Sequence, residues 1–347
     1  MKPSAPTRIT LRDMARHLDI SHTTVSRALK NDPRISEAVR KQVHEVAQTM
    51  GYEPDPMLAA LAHYRRSRGE HPVTGSLAWV NTWPDPKQLR SFREFDLYWK
   101  GASEEAKRNG YLLDELDCPK DLSPARLQEV LRARGIRGIL LPPSWAGQTP
   151  DWKHFNWDAF CVVRFGYSIK TPAAHLVASD QLSNGLLAFE TMRQRGYRRI
   201  GMVMWKVQGT QLVRFSAGYL YGQLQIPIRL RLPPLMLKEA GQAADDRELI
   251  IWLKQTKPDA ILTDVSLLPR MLARAKCRVP QDVGLAALSV LDGGASAGIY
   301  QNSDEIGAAA IQLLISLIHH NQRGIPEIPR EVIVPGRWVD GDTLPPK

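Results

Sequence analysis

The chain has 347 residues, enough for two or three folded units at roughly 100 to 200 residues each. A hydrophobic fraction of 43 % and a charged fraction of 24 % are those of a globular protein and exclude a disordered one. The net charge of +10 is unevenly spread: the first 68 residues hold 12 Lys and Arg against 7 Asp and Glu, half of the excess in a fifth of the chain, and a concentrated basic face draws phosphates. The longest apolar run, residues 306–318 interrupted by Gln312 and Ser316, falls short of the roughly 20 residues that cross a bilayer. Residues 1–8 lack an apolar signal core. The chain thus reads as soluble and cytoplasmic, without a membrane partner. Cys118, Cys161 and Cys277 are odd in number, far apart and without a CxxC pair, so neither a disulfide framework nor a zinc cluster is indicated; no metal or cofactor is expected.

In chain order, Thr10 and Asp13 form a capping pair, and Leu11, Met14, Ala15 and Leu18 repeat at helical spacing over residues 11–18. Ser21 caps a second helix that runs to Lys30. After the Asn31-Asp32-Pro33 break, Ser36 caps a third helix whose stripe is Val39, Val43, Val46, Ala47 and Met50, ended by Gly51.

On the second helix, counting about 100° per residue from His22 puts Ser26, Lys30, Thr23 and Arg27 within one arc of about 140°. Val25, Ala28 and Leu29 take the opposite side. A helix that packs by one face and offers donors and acceptors on the other suits a DNA major groove. Arg27 suits the O6 and N7 of guanine, while His22, Thr23 and Ser26 suit base edges. The competing reading is a plain solvated face. The position of the helix, second of three, and the basic residues Lys30, Arg34, Arg40 and Lys41 beside it favour DNA. Thr10, Ser21, Lys30, Arg34 and Ser36 are the candidate phosphate contacts.

The string from Ile9 to Lys30, ITLRDMARHLDISHTTVSRALK, with Arg34-Ile35-Ser36 and Gly51-Tyr52-Glu53-Pro54, resembles the headpiece of the lactose-repressor (LacI/GalR) family of bacterial transcription regulators. The resemblance implies that His22, Thr23 and Arg27 read the operator. Asp55 and Pro56 then open a helix of about two turns over residues 55–62, too short to be stable alone in water. In the resembling family such a hinge helix enters the minor groove and a leucine wedges between base pairs, roles that fall on Leu61 and Ala62. A linker helix packed on the next domain is the other reading of Leu61. The basic stretch 64–68 fits phosphate contact and a solvated linker equally.

From residue 74 short apolar runs alternate with helical patterns, which predicts an α/β, mainly parallel architecture. The expected strands are 76–81, 111–116, 138–141, 160–164, 200–204, 260–263 and 284–288, with helices at 95–108, 124–134, 182–194 and 304–320. The phrases Trp99 to Tyr111, Arg195 to Gly201, Pro258 to Leu262 and Val279 to Gly284 are similar to the two-lobed periplasmic-binding-protein type I domain that the same family carries as its effector core. The implied organisation is a helix-turn-helix headpiece at 1–54, a hinge and linker at 55–70, and a doubly wound effector and dimerisation domain at 71–347. One lobe is expected over 71–176 with 301–330, the other over 177–300 with 331–347.

The resemblance places Phe95, Tyr98 and Gln301 at the effector cleft and Arg164 where the family often has an aspartate; with Arg214 and Asp264 these are the candidate effector contacts. Phe95 and Tyr98 also suit a core and Arg164 an internal ion pair, while Asn81, Trp83, Arg214 and Asp264 lean structural. Trp145, Trp152 and Trp157 suit either sugar stacking or a surface loop. Two departures bear on the ligand: Phe215 stands where the family uses a sugar-gripping arginine, with Arg214 beside it, and Ser289 stands where the family uses an aspartate, with Asp292 beyond. The expected function is a homodimeric repressor on a near-palindromic double-stranded operator, controlled by a small molecule, a sugar or a related metabolite. The rivals are a solute-binding protein and a sugar-processing enzyme. No GxGxxG, P-loop, GxSxG or HExxH motif is present, so an enzyme is not expected.

Overall fold

The computed structural model describes residues 9–29, 31–50, 52, 75–118, 123–144, 150–206, 213–238 and 242–347. The expected hinge helix with Leu61 and Ala62, and also Lys30 and Trp145, lie outside the described residues.

The N-terminal unit is built of α1 (Leu11–Leu18), α2 (His22–Leu29) and α3 (Glu37–Met50). Met14, Ala15, Val25, Ala28 and Val43 are its buried centre, with Leu18, Ile20, Val39, Val46 and Met50 packed around them. Asp19 ends α1 in the left-handed region at φ 51°, and its short polar side chain tolerates that conformation.

Among the described residues, the remaining chain forms two six-stranded sheets. The first contains β1 (Gly75–Asn81), β2 (Tyr111–Asp117), β3 (Gly138–Leu141), β4 (Cys161–Phe165), β5 (His175–Ser179) and β11 (Glu331–Val334), in the order β11-β5-β4-β3-β1-β2. All of its pairings are parallel. The second contains β6 (Ile200–Trp205), β7 (Leu235–Leu237), β8 (Ala260–Thr263), β9 (Gly284–Ala287), β10 (Ala297–Tyr300) and β12 (Arg337–Val339), in the order β12-β10-β9-β8-β6-β7. Only the β10–β12 pair is antiparallel. Central strands are covered on both faces, so they read as unbroken apolar runs such as 138–141 and 260–263.

Helices α4 (Pro86–Leu89), α5 (Arg93–Arg108), α6 (Pro124–Ala133) and α11 (Ser303–His319) serve the first sheet, and α7 (Gln181–Gln194), α8 (Val213–Leu224), α9 (Gln242–Thr256) and α10 (Leu268–Arg274) the second. The principal helix pair of each lobe meets through glycines. A Cβ at Gly101 would strike the Asp304 carbonyl and one at Gly307 the Tyr98 carbonyl; Gly185 faces Phe215 and Gly218 faces Leu182 in the same way.

Two expected lobe boundaries are corrected by the pairing. β5, which ends at Ser179, and β11, which ends at Val334, lie side by side in the first sheet, so the chain crosses after 179 and after 334, not after 176 and 330. The remaining crossing, second in chain order, follows Tyr300. β11 is an exposed edge strand of four residues, with too little alternation to reveal which sheet it joins.

Candidate functional site

The first candidate surface is α2. Val25 and Ala28 are fully buried beneath it, whereas His22, Thr23 and Arg27 are exposed and Ser26 is half-buried. Among the described residues none of these four side chains is hydrogen-bonded, so their donors and acceptors remain free for a partner. Of the arc expected from periodicity, His22, Thr23, Ser26 and Arg27 are thus on the surface, and Lys30 lies outside the described residues.

Of the candidate phosphate residues, Thr10, Ser21, Arg34 and Ser36 have local roles, and Lys30 lies outside the described residues. Thr10 forms a reciprocal capping box, accepting from the Asp13 amide at 3.4 Å while its own amide and hydroxyl donate to the Asp13 carboxylate at 2.9 and 2.6 Å. Those two hydrogen bonds hold the Asp13 carboxyl below its ordinary range. Ser21 Oγ accepts from the Thr24 amide at 3.0 Å, and Ser36 Oγ from Val39 at 3.4 Å. Three helix N-termini thus carry hydroxyl caps, and helix N-termini favour anions. Arg34 is locked in a fork on Asp32, at 3.0 and 2.6 Å.

The second candidate surface is the junction between the lobes, at the carboxyl ends of both sheets, where open α/β sheets bind ligands. Here α5 begins at Arg93. Its N-cap residue, Phe92, has no side-chain acceptor to offer. The cap comes instead from the other lobe, where Asp292 accepts from the backbone amides of Arg93 and Glu94 at 3.1 and 3.0 Å.

Burial lifts the Glu94 carboxyl to about 7; a hydrogen bond with the Ser289 hydroxyl counteracts this, and the charge of Asp292 adds to it. Across the junction, burial likewise lifts Asp264 to about 7, opposed by the Trp205 amide at 3.2 Å. A wall of rings continues from α5. Trp83 meets Phe92 and Phe95 at 5.6 and 6.2 Å, Phe95 meets Tyr98 at 5.8 Å, and Tyr98 stacks on Phe165 at 5.3 Å.

Of the expected effector residues, Phe95 and Tyr98 lie on this wall, Tyr98 only 6 % exposed. Gln301, at the second crossing, is buried and donates to the Leu288 carbonyl at 3.1 Å. The two arginines are engaged elsewhere. Arg164 donates to the carbonyls of Ala174, Ile169 and Gly166 at 3.1, 2.7 and 3.4 Å, lacing the loop between β4 and β5. Arg214 pairs with Glu331 at 3.3 Å and lies 4.1 Å over the Tyr167 ring, a link between the lobes. Trp152 and Trp157 pack on each other and on Phe155 in the core beside α6.

Four buried polar atoms without a partner flank the junction: Glu94 Oε1, Ser144 Oγ, Gln181 Oε1 and Ser303 Oγ. Ser144 follows β3, Gln181 opens α7 just past the first crossing, and Ser303 opens α11 just past the second. Each such atom costs about 1–3 kcal/mol if nothing satisfies it, so this junction is chemically prepared for a polar guest. Glu94 was not singled out by the sequence. The available signal was its place directly before Phe95 at a helix start.

Among the described residues no group of three or more His, Cys, Asp and Glu side chains is arranged to hold a metal ion, and no helix is long and apolar enough to cross a membrane.

Comparison with known proteins matches residues 10–55 to the family model for bacterial regulatory proteins of the lacI family, and residues 189–344 to a periplasmic-binding-protein-like domain. The transcriptional repressor CytR of Escherichia coli is 43 % identical over 201 residues, covering 57 % of this chain and 54 % of CytR. The probable transcriptional repressor ExuR of Bacillus subtilis is 43 % identical over 54 residues, 16 % of each chain. The chain thus spans about half or less of these two relatives. The ribose operon repressor of Escherichia coli is 23 % identical over 325 residues, 89 % of this chain and 93 % of the repressor. In fold, the regulator CelR in complex with cellobiose superposes with a TM-score of 0.58 at 18 % identity, covering 97 % of this chain and all of that one. The lac repressor dimer bound to operator does so with 0.52 at 13 %, covering 98 % and 100 %.

Proposed function

The chain belongs to the lacI family of bacterial regulatory proteins, and we propose that it is a homodimeric repressor that reads a near-palindromic operator with α2 and is controlled by a small molecule between its lobes. The observation that carries this reading is the arc of unbonded polar side chains, His22, Thr23, Ser26 and Arg27, standing over the buried Val25 and Ala28. A solvated helix face needs no such match to base-edge chemistry, whereas groove readout requires one. The hydroxyl-capped helix ends at Thr10, Ser21 and Ser36 supply phosphate-facing amides around it. With Arg34 and Lys30 they position the module, and Leu61 with Ala62 is assigned to the minor groove.

The effector domain is placed to act through geometry. Three crossings join the lobes, and the contacts Asp292 to α5 and Arg214 to Glu331 join them again. A ligand that changes the lobe angle changes the spacing of the two headpieces, and such coupling is typically worth about 1–3 kcal/mol. Phe95, Tyr98, Asp264 and Gln301 are the proposed contacts. Arg164 and Arg214 are reassigned to holding the loop and the lobes. The similar fold of a regulator solved with cellobiose supports a sugar-class ligand as one candidate for this junction.

The test is selection of duplexes from a random pool by the full chain. Enrichment of an inverted repeat bound by two copies, with affinity falling steeply with salt, is the expected result. Enrichment of no sequence would remove the regulatory reading.

A further inference from the structure

We propose that the ligand received between the lobes carries a protonated amine and that Glu94 is the side chain that selects it, an inference that rests on reading the junction as the effector site. Three observations lead there. Acidic side chains occur on both sides of the junction, Glu94 on one and Asp264 and Asp292 on the other, and among the described residues no lysine or arginine side chain pairs with any of them. The groups acting on Glu94 are the Ser289 hydroxyl and the Asp292 carboxylate, and Glu94 in turn acts on the phenols of Tyr98 and Tyr300. These groups are neutral or acidic, and the two arginines nearest them are engaged elsewhere, Arg93 on the Leu291 carbonyl at 3.4 Å and Arg337 over the Tyr300 ring at 4.9 Å.

Glu94 Oε1 is shut off from solvent and has no hydrogen-bond partner. A carboxylate oxygen in that state is best satisfied by a charged donor, because an ionised acid removed from water is costly unless paired. The rings of Phe92 and Phe95 flank Glu94 in sequence and pack at 5.5 Å, and ring faces favour cations over neutral or anionic groups.

The same features disfavour the opposite charge. Arg164 is spent on three backbone carbonyls and Arg214 on Glu331. The N-terminus of α5, where a phosphate or carboxylate would otherwise sit, is already filled by Asp292. A neutral polyol would satisfy Oε1 and leave the acid protonated, whereas an ammonium group also stabilises its ionised form.

Isothermal titration of the full chain at neutral pH with two matched triples tests this: glucosamine, glucose and glucose 6-phosphate; tyramine, tyrosol and phenyl phosphate. The amine of at least one frame is expected to bind about tenfold or more tighter than both of its partners. Glu94→Gln should weaken that amine by about tenfold to hundredfold while the chain stays folded, and Asp96→Asn, which weakens the ion pairs with Arg90 and Lys100 near the start of the same helix, should leave the preference intact. Tighter binding of the neutral or phosphorylated members, an amine preference that survives Glu94→Gln, or no binding by any of the six at millimolar concentration overturns the proposal. Binding of the selected duplex by the same preparation is scored separately. If it persists while the amine preference fails, the ligand class alone falls; if it is absent, the regulatory reading falls first.

Discussion

Asp292 caps the backbone amide of Glu94 at 3.0 Å across the lobe junction, so a helix of one lobe is completed by a carboxylate of the other. Phe92 cannot serve as its own cap, and the N-terminal amides of a 16-residue helix bring a partial positive charge to the contact. Asp292→Ala should therefore cost about 0.5–2 kcal/mol, the ordinary worth of a cap. It should also loosen the lobes, giving a larger radius of gyration in small-angle scattering of the ligand-free protein. An unchanged radius with lowered stability would mean that the cap serves α5 alone.

The acids at this junction give stability a pH signature. Glu94 and Asp264 are both raised to about 7 by burial, so the folded state holds protons that the unfolded chain has released above the usual carboxylate range. Their contribution is fully present at pH below that range and is lost as pH rises through about 7. His175 works the other way: burial and Arg330 lower it, so stability from that group is gained as pH rises through the ordinary imidazole range. The difference between parent and variant is thus the informative quantity. Denaturant titrations at several pH values should show that Glu94→Gln and Asp264→Asn each flatten the decline between about pH 4 and 7, by on the order of a few kcal/mol together. Parallel profiles for parent and variants would show that neither acid is protonated in the fold.

Arg164 and Arg214 should behave differently when removed. Arg164 is part-buried and bonded to three carbonyls of one loop, so Arg164→Ala leaves buried acceptors unsatisfied and should cost about 1–3 kcal/mol in unfolding free energy. Arg214 and Glu331 are 45 % and 40 % exposed, and exposed pairs are worth about 0–1 kcal/mol. Arg214→Ala should leave the melting temperature nearly unchanged and act on lobe closure. A larger loss of stability for Arg214→Ala than for Arg164→Ala would reverse these assignments.

The headpiece was readable because its signals are local: the Thr10–Asp13 capping box, the apolar stripe under α2 and the breaks at Asp19 and Asn31 all lie within a few residues of what they control. Strands buried on both faces, such as 138–141, were legible as apolar runs. Short or exposed strands such as 331–334 and 337–339 were not, since their sheet is decided by tertiary pairing. Helix α8 was missed because VRFSAGYLYGQL has apolar residues all round; some are buried at the glycine crossing with α7 while Leu220, Tyr221 and Leu224 are exposed. Phe95 and Tyr98 came from the family resemblance. Glu94 and Asp292 are separated by almost 200 residues, and only the folded chain sets one against the other. For Arg164 and Arg214, position relative to the resembling family suggested ligand contact, but the partners that occupy them lie in loops and strands whose positions no local pattern fixes.

Arg27 and Arg34 supply the sharpest test of the DNA surface. Arg27 is exposed on α2, and among the described residues its guanidinium makes no hydrogen bond. Arg34 is held by the Asp32 fork, and its hydrogen bonds keep that carboxyl well below the usual range. If Arg27 reads a base, Arg27→Ala should cost about 1–3 kcal/mol of operator affinity and relax preference at one base position in each half-site, with the remaining positions unchanged. Arg34→Ala should instead weaken all duplexes alike and reduce the slope of affinity against salt by about one. Repeating the duplex selection with both variants separates the two roles. Uniform weakening by Arg27→Ala with no relaxed position would make it a phosphate contact and shift sequence readout to His22, Thr23 and Ser26.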